Sequence, residues 1–315
     1  MKRLVILASL KEEQRRIIGS AASGYEVIDA PGAPAAEQIA LLKDCEICVG
    51  EPEWEAILKS DRLHMIQMTW AGADRYTRAE KKFPEWIRLC TASGAFGHAM
   101  SHYALAGVLS LYHHLPEYQK QQQQRKWKQL PAEVSMIGAT VLIFGTGNIG
   151  SCTARLFRAA GAERIIGVRR KLEHVDGFDE ICRLDDAEAF LPEADIVIGC
   201  MPSAAENDNY LNERRISRMK KGAVLVNMGR GTFLDLDALY DSLQKGSLYG
   251  AVLDVFNPEP LPEEHPIWNM PNVIITPHVA GPSKGNPVTE RLIAEICRDN
   301  ISRYIAGEEL RNRIF

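Results

Sequence analysis

Three segments, far apart in the chain, each set a polar side chain just past an apolar run. NMGRG (227–231) presents Arg230, LDVFNPEPLP (253–262) presents Glu259, and TPHVAG (276–281) presents His278. The three types combine into one chemistry. A guanidinium binds a carboxylate bidentately and polarises a neighbouring carbonyl. An imidazole exchanges a proton near neutral pH. A carboxylate beside the imidazole favours its charged form and fixes its orientation. Taken singly, an arginine or glutamate at the end of an apolar run is an ordinary solvated residue. Three such residues after three successive runs would lie together on the edge where doubly wound sheets bind ligands.

A second constellation precedes them. ATVLIFGTGNIGSCTARLFRAAG reads as a strand, a glycine turn and a helix. Gly145, Gly147 and Gly150 form GxGxxG in the context that gives the pattern its meaning. The first makes the tight turn, the second lets backbone approach a pyrophosphate, and the third lets helix pack on strand. The helix start at Asn148 and Ile149 offers free N–H groups and a positive dipole end to phosphates. The competing reading is a purely structural glycine turn. The next strand ends in GVRRK (167–171), with no carboxylate before Glu173. An acidic residue there would accept from the ribose hydroxyls of NAD. Arg169, Arg170 and Lys171 suit a 2′-phosphate, so the segment argues for NADP(H) over NAD(H). The alternative is a solvated basic turn that touches no cofactor.

Groups at the ends of strands converge only if the strands lie parallel with their carboxyl ends on one edge. Apolar runs at 139–144, 164–168, 195–199, 223–227, 249–253 and 273–276 are continuous, as in a sheet buried on both faces. Helices are expected at 148–160, 211–218 and 235–245. The earlier part of the chain repeats the alternation, with strands at Arg3–Ala8, Tyr25–Asp29, Cys45–Val49 and His64–Thr69. Amphipathic stretches at 35–43 and 52–60 lie between them. A long helix is expected over 99–115. A last one, over 288–306, is expected to return to the first domain. The fold class is α/β, with two doubly wound parallel-sheet domains. One spans 1–98 plus 283–315 and the other 99–282.

The 315 residues suit two domains, and with 46% apolar and 25% charged residues the chain is globular in composition. A net charge of −4 without a long basic run gives no indication of a nucleic-acid surface. MKRLVILASL imitates a leader, but its apolar run passes straight into Lys11-Glu12-Glu13, so it reads as a first buried strand. No run approaches membrane-spanning length. The seven cysteines are scattered, which fits reduced thiols in the cytoplasm. Cys45 and Cys48 form a CxxC inside a strand, read as buried cysteines with a redox motif as the alternative. His98, His102, His113 and His114 surround one helix at no metal-ligand spacing. The glutamine run at 121–124 reads as a solvated helical turn.

The ordered set GTGNIG, NMGRG, LDVFNPEPLP with PIWNMPNV, and TPHVAG resembles the D-isomer-specific 2-hydroxyacid dehydrogenases, in particular their glyoxylate/hydroxypyruvate reductase branch. The resemblance spans nearly the whole chain. It implies an interdomain cleft, a homodimer, and a small 2-ketoacid or 2-hydroxyacid substrate. It also implies roles. Arg230 would bind the substrate carboxylate and carbonyl, His278 would protonate that oxygen, and Glu259 would pair with His278 and raise its pKa. Asp254 would hold the nicotinamide carboxamide. Met201, Pro202 and Met228 would border the cofactor. In TWAGADRY (69–76), N–H groups around Ala71 and Gly72 would grip the carboxylate, with Trp70 as an apolar wall; a place for Trp70 in the core is the alternative. Trp127 could extend to a neighbouring subunit. Three departures bear on the substrate: His102 where glutamate is common, Met228 before Gly229-Arg230, and Thr69-Trp70 at the loop start. The expected activity is NADPH-dependent reduction of a small 2-ketoacid to a D-2-hydroxyacid. Alternatives are a phosphoglycerate or bulkier hydroxyacid dehydrogenase, without an added regulatory domain, and a dinucleotide-gated corepressor-like interaction protein.

Overall fold

Apolar runs bounded by turn residues become parallel strands in both halves of the chain. In the computed structural model the described residues are 1–78, 82–282 and 284–315. They fall into two compact units, Met1–Phe96 with Pro282–Phe315, and Gly97–Gly281. Both joins lie one or two residues before the positions expected from the sequence.

The first unit alternates β1 (Lys2–Ile6), α1 (Glu12–Gly19), β2 (Tyr25–Asp29), α2 (Ala35–Lys43), β3 (Ile47–Val49), α3 (Trp54–Leu58), β4 (Met65–Gln67), α4 (Asp74–Thr77) and β5 (Arg88–Cys90). Its sheet runs β2-β1-β3-β4-β5, all parallel. This is a doubly wound order whose direction reverses between β1 and β3, and ligands bind at the carboxyl ends around such a reversal. The opening run MKRLVILASL supplies β1, with Leu4, Val5 and Ile6 buried. Cys45 and Cys48 are buried, and all seven cysteines are free thiols.

The second unit starts with α5 (Gly97–Tyr112) and α6 (Leu115–Gln123). Sequence reasoning expected one helix over 99–115. The chain instead breaks at His114, which takes a left-handed φ of 54°. Pro116 follows, and it has no N–H with which to continue the helical ladder. The sheet strands are β6 (Thr140–Phe144), β7 (Arg164–Val168), β8 (Glu180–Cys182), β9 (Ile196–Gly199), β10 (Val224–Asn227), β11 (Gly250–Leu253) and β12 (Val273–Ile275), with α7 (Asn148–Ala159), α8 (Glu213–Ile216) and α9 (Leu236–Gln244) among the crossovers. Their order is β12-β11-β10-β9-β6-β7-β8, all parallel. Numbered from β6, this is the dinucleotide-binding order 3-2-1-4-5-6 with one strand added. Strands β6, β9, β10 and β11 are buried almost throughout, as a sheet covered on both faces requires.

The last helix, α10 (Pro287–Ala306), belongs to the first unit. Its buried Asn300 donates to Gln67 Oε1 at 2.7 Å and to Arg311 O at 2.9 Å, and accepts from Arg311 N at 2.9 Å. Those bonds fasten the returning segment to β4. The tail then pairs with β5, where Ile314 N donates to Leu89 O at 2.8 Å. Among the described residues no helix is long and apolar enough to cross a membrane.

Candidate active site

The glycine turn joins β6 to α7. Gly145 has φ +104°, and a Cβ there would lie 3.2 Å from Cys200 O. A Cβ on Gly150 would lie 1.9 Å from Gly145 O, so only glycine lets α7 sit this close to the turn. Gly147 is different. It caps α7 with extended backbone, and a Cβ there would meet nothing among the described residues within 4 Å. No internal packing requires glycine at 147, and the free space over the helix start is what a pyrophosphate needs. Asn148, Ile149 and Gly150 form the first helical turn, where N–H groups have no partner in the helix.

At the end of β7, Arg169 is partly buried and its guanidinium stands 3.7 Å from the Glu173 carboxylate. Arg170 and Lys171 are exposed. The three cations thus follow the strand next to the glycine turn. Past β9, Met201 packs against Gly145, and the Met201 carbonyl lies close behind Gly229. Pro202 is exposed and its carbonyl accepts from Asn207 Nδ2 at 2.8 Å. Met228 is 1% exposed, and its side chain belongs to the core cluster that holds Ala104 and Val108.

Asn227, Leu253 and Ile275 stand level across β10, β11 and β12. The segments bearing Arg230, Glu259 and His278 therefore leave one edge of the sheet side by side. Asn227 Nδ2 donates to Arg230 O at 3.0 Å, and Arg230 Nη1 donates to Gly229 O at 2.7 Å. A Cβ on Gly231 would fall 1.9 Å from the Phe256 carbonyl carbon, so the turn after β10 presses on the chain after β11. His278 Nδ1 lies 2.9 Å from Glu259 Oε2, while Glu259 Oε1 accepts from Phe256 N at 2.9 Å. With Nδ1 engaged by a carboxylate, Nε2 is the nitrogen left for a ligand. Half of the His278 side chain is exposed.

His278 holds a left-handed φ of 55°, costly for a residue with a Cβ. What imposes it is Asp254, which is 1% exposed. His278 N donates to Asp254 O at 2.8 Å. The Asp254 carboxylate accepts from Thr276 Oγ1 at 2.5 Å, Val279 N at 2.8 Å and Ala280 N at 2.9 Å. Tyr103 OH lies 2.6 Å from Thr276 Oγ1. Since Thr276 gives its one proton to Asp254, Tyr103 must donate to Thr276. Burial pushes the Tyr103 phenol up to about 12, so it keeps the proton that this bond needs. Asp254 was expected to hold a cofactor amide; most of its bonding capacity here goes to the histidine loop.

In the first unit the turn after β4 carries Trp70, which is 48% exposed and so is not a core residue. Trp70 O accepts from Ala92 N at 2.8 Å. No described group accepts from the N–H of Ala71 or Gly72. Sequence reasoning missed three residues that shape these loops: Tyr103, Thr276 and Glu51. Tyr103 and Thr276 lie 173 positions apart, a separation with no periodicity to reveal it. Glu51 follows β3 and binds the Trp70 turn from 18 positions away.

A family model for the NAD binding domain of D-isomer specific 2-hydroxyacid dehydrogenases matches residues 105–280. Glyoxylate/hydroxypyruvate reductase A of Serratia proteamaculans is 31% identical over 267 residues, which cover 82% of this chain and 84% of that protein. A solved D-isomer specific 2-hydroxyacid dehydrogenase family protein from Aeromonas salmonicida subsp. salmonicida is 31% identical, with a TM-score of 0.87 over 100% of this chain and 99% of that one. An NADPH-dependent glyoxylate/hydroxypyruvate reductase from Sinorhizobium meliloti, solved in complex with NADP and sulfate, is 25% identical, with a TM-score of 0.83 over 100% and 98%.

Proposed function

Since the chain belongs to the D-isomer specific 2-hydroxyacid dehydrogenase family, we infer that it reduces a small 2-ketoacid of the glyoxylate or hydroxypyruvate kind to a D-2-hydroxyacid, with NADPH preferred to NADH. The observation that carries the reading is the Glu259–His278 pair, 2.9 Å apart, beside the Arg230 turn on the carboxyl edge of the dinucleotide sheet. The relatives' names support the substrate class and the cofactor.

The N–H groups that open α7 receive the pyrophosphate, which the open space at Gly147 admits. Arg169, Arg170 and Lys171 recognise the 2′-phosphate. When bound, the reduced nicotinamide supplies the hydride. Arg230 holds the ketoacid through its carboxylate and polarises the carbonyl oxygen. His278 gives that oxygen a proton from Nε2, while Glu259 fixes the ring through Nδ1. In the first unit, the unengaged N–H groups of Ala71 and Gly72, with the exposed Trp70 beside them, offer donors suited to a carboxylate. The free thiols fit a reducing cytoplasm. The family resemblance implies a homodimer there, which sedimentation checks.

The test is an absorbance assay at the reduced-nicotinamide band with a ketoacid panel and both cofactors. Turnover of glyoxylate or hydroxypyruvate, with a lower KM for NADPH, is expected. His278→Ala and Arg230→Ala should each lower kcat/KM by about 10²-fold or more while NADPH binding is kept. Near-normal turnover in either variant refutes the roles, and equal use of NADH refutes the cofactor preference.

A further inference from the structure

Glu51, a carboxylate without an ion partner of its own among the described residues, stands at the carboxyl end of β3, beside the strand reversal of the first sheet. Its Oε1 accepts from Thr69 N at 2.7 Å, Thr69 Oγ1 at 3.0 Å and Trp70 N at 3.2 Å, and Oε2 lies 3.3 Å from Thr69 Oγ1. Burial raises its carboxyl above the ordinary value, opposed by the bonds from Thr69 and Trp70 and by the charge of Arg75. Arg75 donates to the Glu51 backbone carbonyl at 3.3 Å, while its ion pair is with Glu53, at 3.0 Å. This carboxylate takes the two N–H groups just before Ala71 and leaves those of Ala71 and Gly72 unengaged.

We propose that Glu51 is a positioning residue for the ketoacid. By drawing the amides of Thr69 and Trp70 inward, it fixes the turn so that the next two amides face outward as the anion cradle. Ala92 N on Trp70 O holds the turn from the other side. Acceptor geometry, more than negative charge, is the requirement, because the bound group is itself a carboxylate. The proposal rests on the functional reading above for the identity of the ligand, but not for the arrangement of the amides.

Two measurements test it. Amide exchange on the unaltered protein should show Thr69 and Trp70 protected and Ala71 and Gly72 fast, with the latter pair slowed by added ketoacid. Protection of Ala71 and Gly72 without ligand, or rapid exchange at Thr69 and Trp70, overturns the proposal. In steady-state kinetics, Glu51→Ala should raise the ketoacid KM about tenfold or more, with kcat and the NADPH KM changed by less than about twofold. Glu51→Gln, which keeps an oxygen acceptor, should return the ketoacid KM to within about threefold of the parent. An unchanged KM in the alanine variant, or a glutamine variant as impaired as alanine, overturns it. Absence of ketoacid turnover in the unaltered protein would refute the functional reading instead, and the exchange pattern would still decide the role of Glu51.

Discussion

Gly147→Ala separates what a glycine does for the fold from what it does for a ligand. The residue sits at φ −71° and ψ −162°, extended backbone that alanine adopts without strain. Its Cβ would meet no atom of the described residues within 4 Å. Replacing a glycine cap by alanine costs roughly 0.5–1 kcal/mol. The smaller entropy of the unfolded chain returns about 0.4–1 kcal/mol. Stability should therefore move by less than about 1 kcal/mol, or about 2–4 °C in Tm for a unit of this size. The same methyl would occupy the space over the helix start. Hydrogen bonds to a charged group contribute about 1.5–3 kcal/mol each, and the helix terminus adds about 0.3–1 kcal/mol. Loss of one or two such contacts weakens NADPH binding by roughly 10²–10³-fold. Gly150→Ala is the control. Its Cβ would lie 1.9 Å from Gly145 O and 2.9 Å from Gly145 C, both backbone atoms. The helix has to lift, at a cost of about 3 kcal/mol or more, so Tm falls by about 6–12 °C. Thermal melts and fluorescence titration with NADPH read both variants. A Gly147→Ala protein that binds NADPH within about threefold of the parent refutes the assignment of this turn to a pyrophosphate.

Thr276→Val leaves the Tyr103 hydroxyl unpaired and removes one of the donors to Asp254; it should destabilise by about 2 kcal/mol and lower kcat with little change in the NADPH KM, and unchanged stability and kcat would refute the linkage. Asn300→Ala strands Gln67 and both backbone groups of Arg311; a loss of about 2–4 kcal/mol is expected in urea unfolding, and an unshifted midpoint refutes it. For Glu46, burial acts to raise the carboxyl, but bonds from Lys2, Tyr25 and Tyr304 outweigh it and hold the group below its ordinary value. A depressed carboxyl stabilises the fold above its unfolded pKa and loses that contribution as pH falls through the folded one. Glu46→Gln should therefore cost about 1–2 kcal/mol at pH 7, with the difference shrinking below about pH 4; a pH-independent difference in urea unfolding refutes the linkage.

Periodicity and punctuation made the sheets legible, because a strand buried on both faces must be an apolar run and a glycine turn must interrupt it. β6 through its turn into α7 needs nothing beyond VLIFGTGNIG. β5 and β8 were illegible for the converse reason. Each opens on an exposed charged residue and offers only two apolar positions, Leu89-Cys90 and Ile181-Cys182, and each is defined by its neighbours: β5 by β4 and the tail at Ile314, β8 by β7 and the pairing of Arg164 with Glu180. The site divides the same way. Arg230, Glu259 and His278 announce themselves because they follow apolar strands, and strand ends in a parallel sheet share an edge. Asp254 was visible as a residue but its bonds to the histidine loop were not, because hydrogen-bond destinations depend on which loop folds back, and its loop lies 22 to 26 positions on. The burial of Met228 was not legible either, because one step beyond a strand end is still deep enough for the core to claim a side chain. Sequence thus locates groups at strand ends, and the groups that position their loops emerge only once distant segments are in contact. Glu51 and Tyr103 belong to this second class, so substitutions there should change how well the chemistry is aimed before they change what the chemistry is.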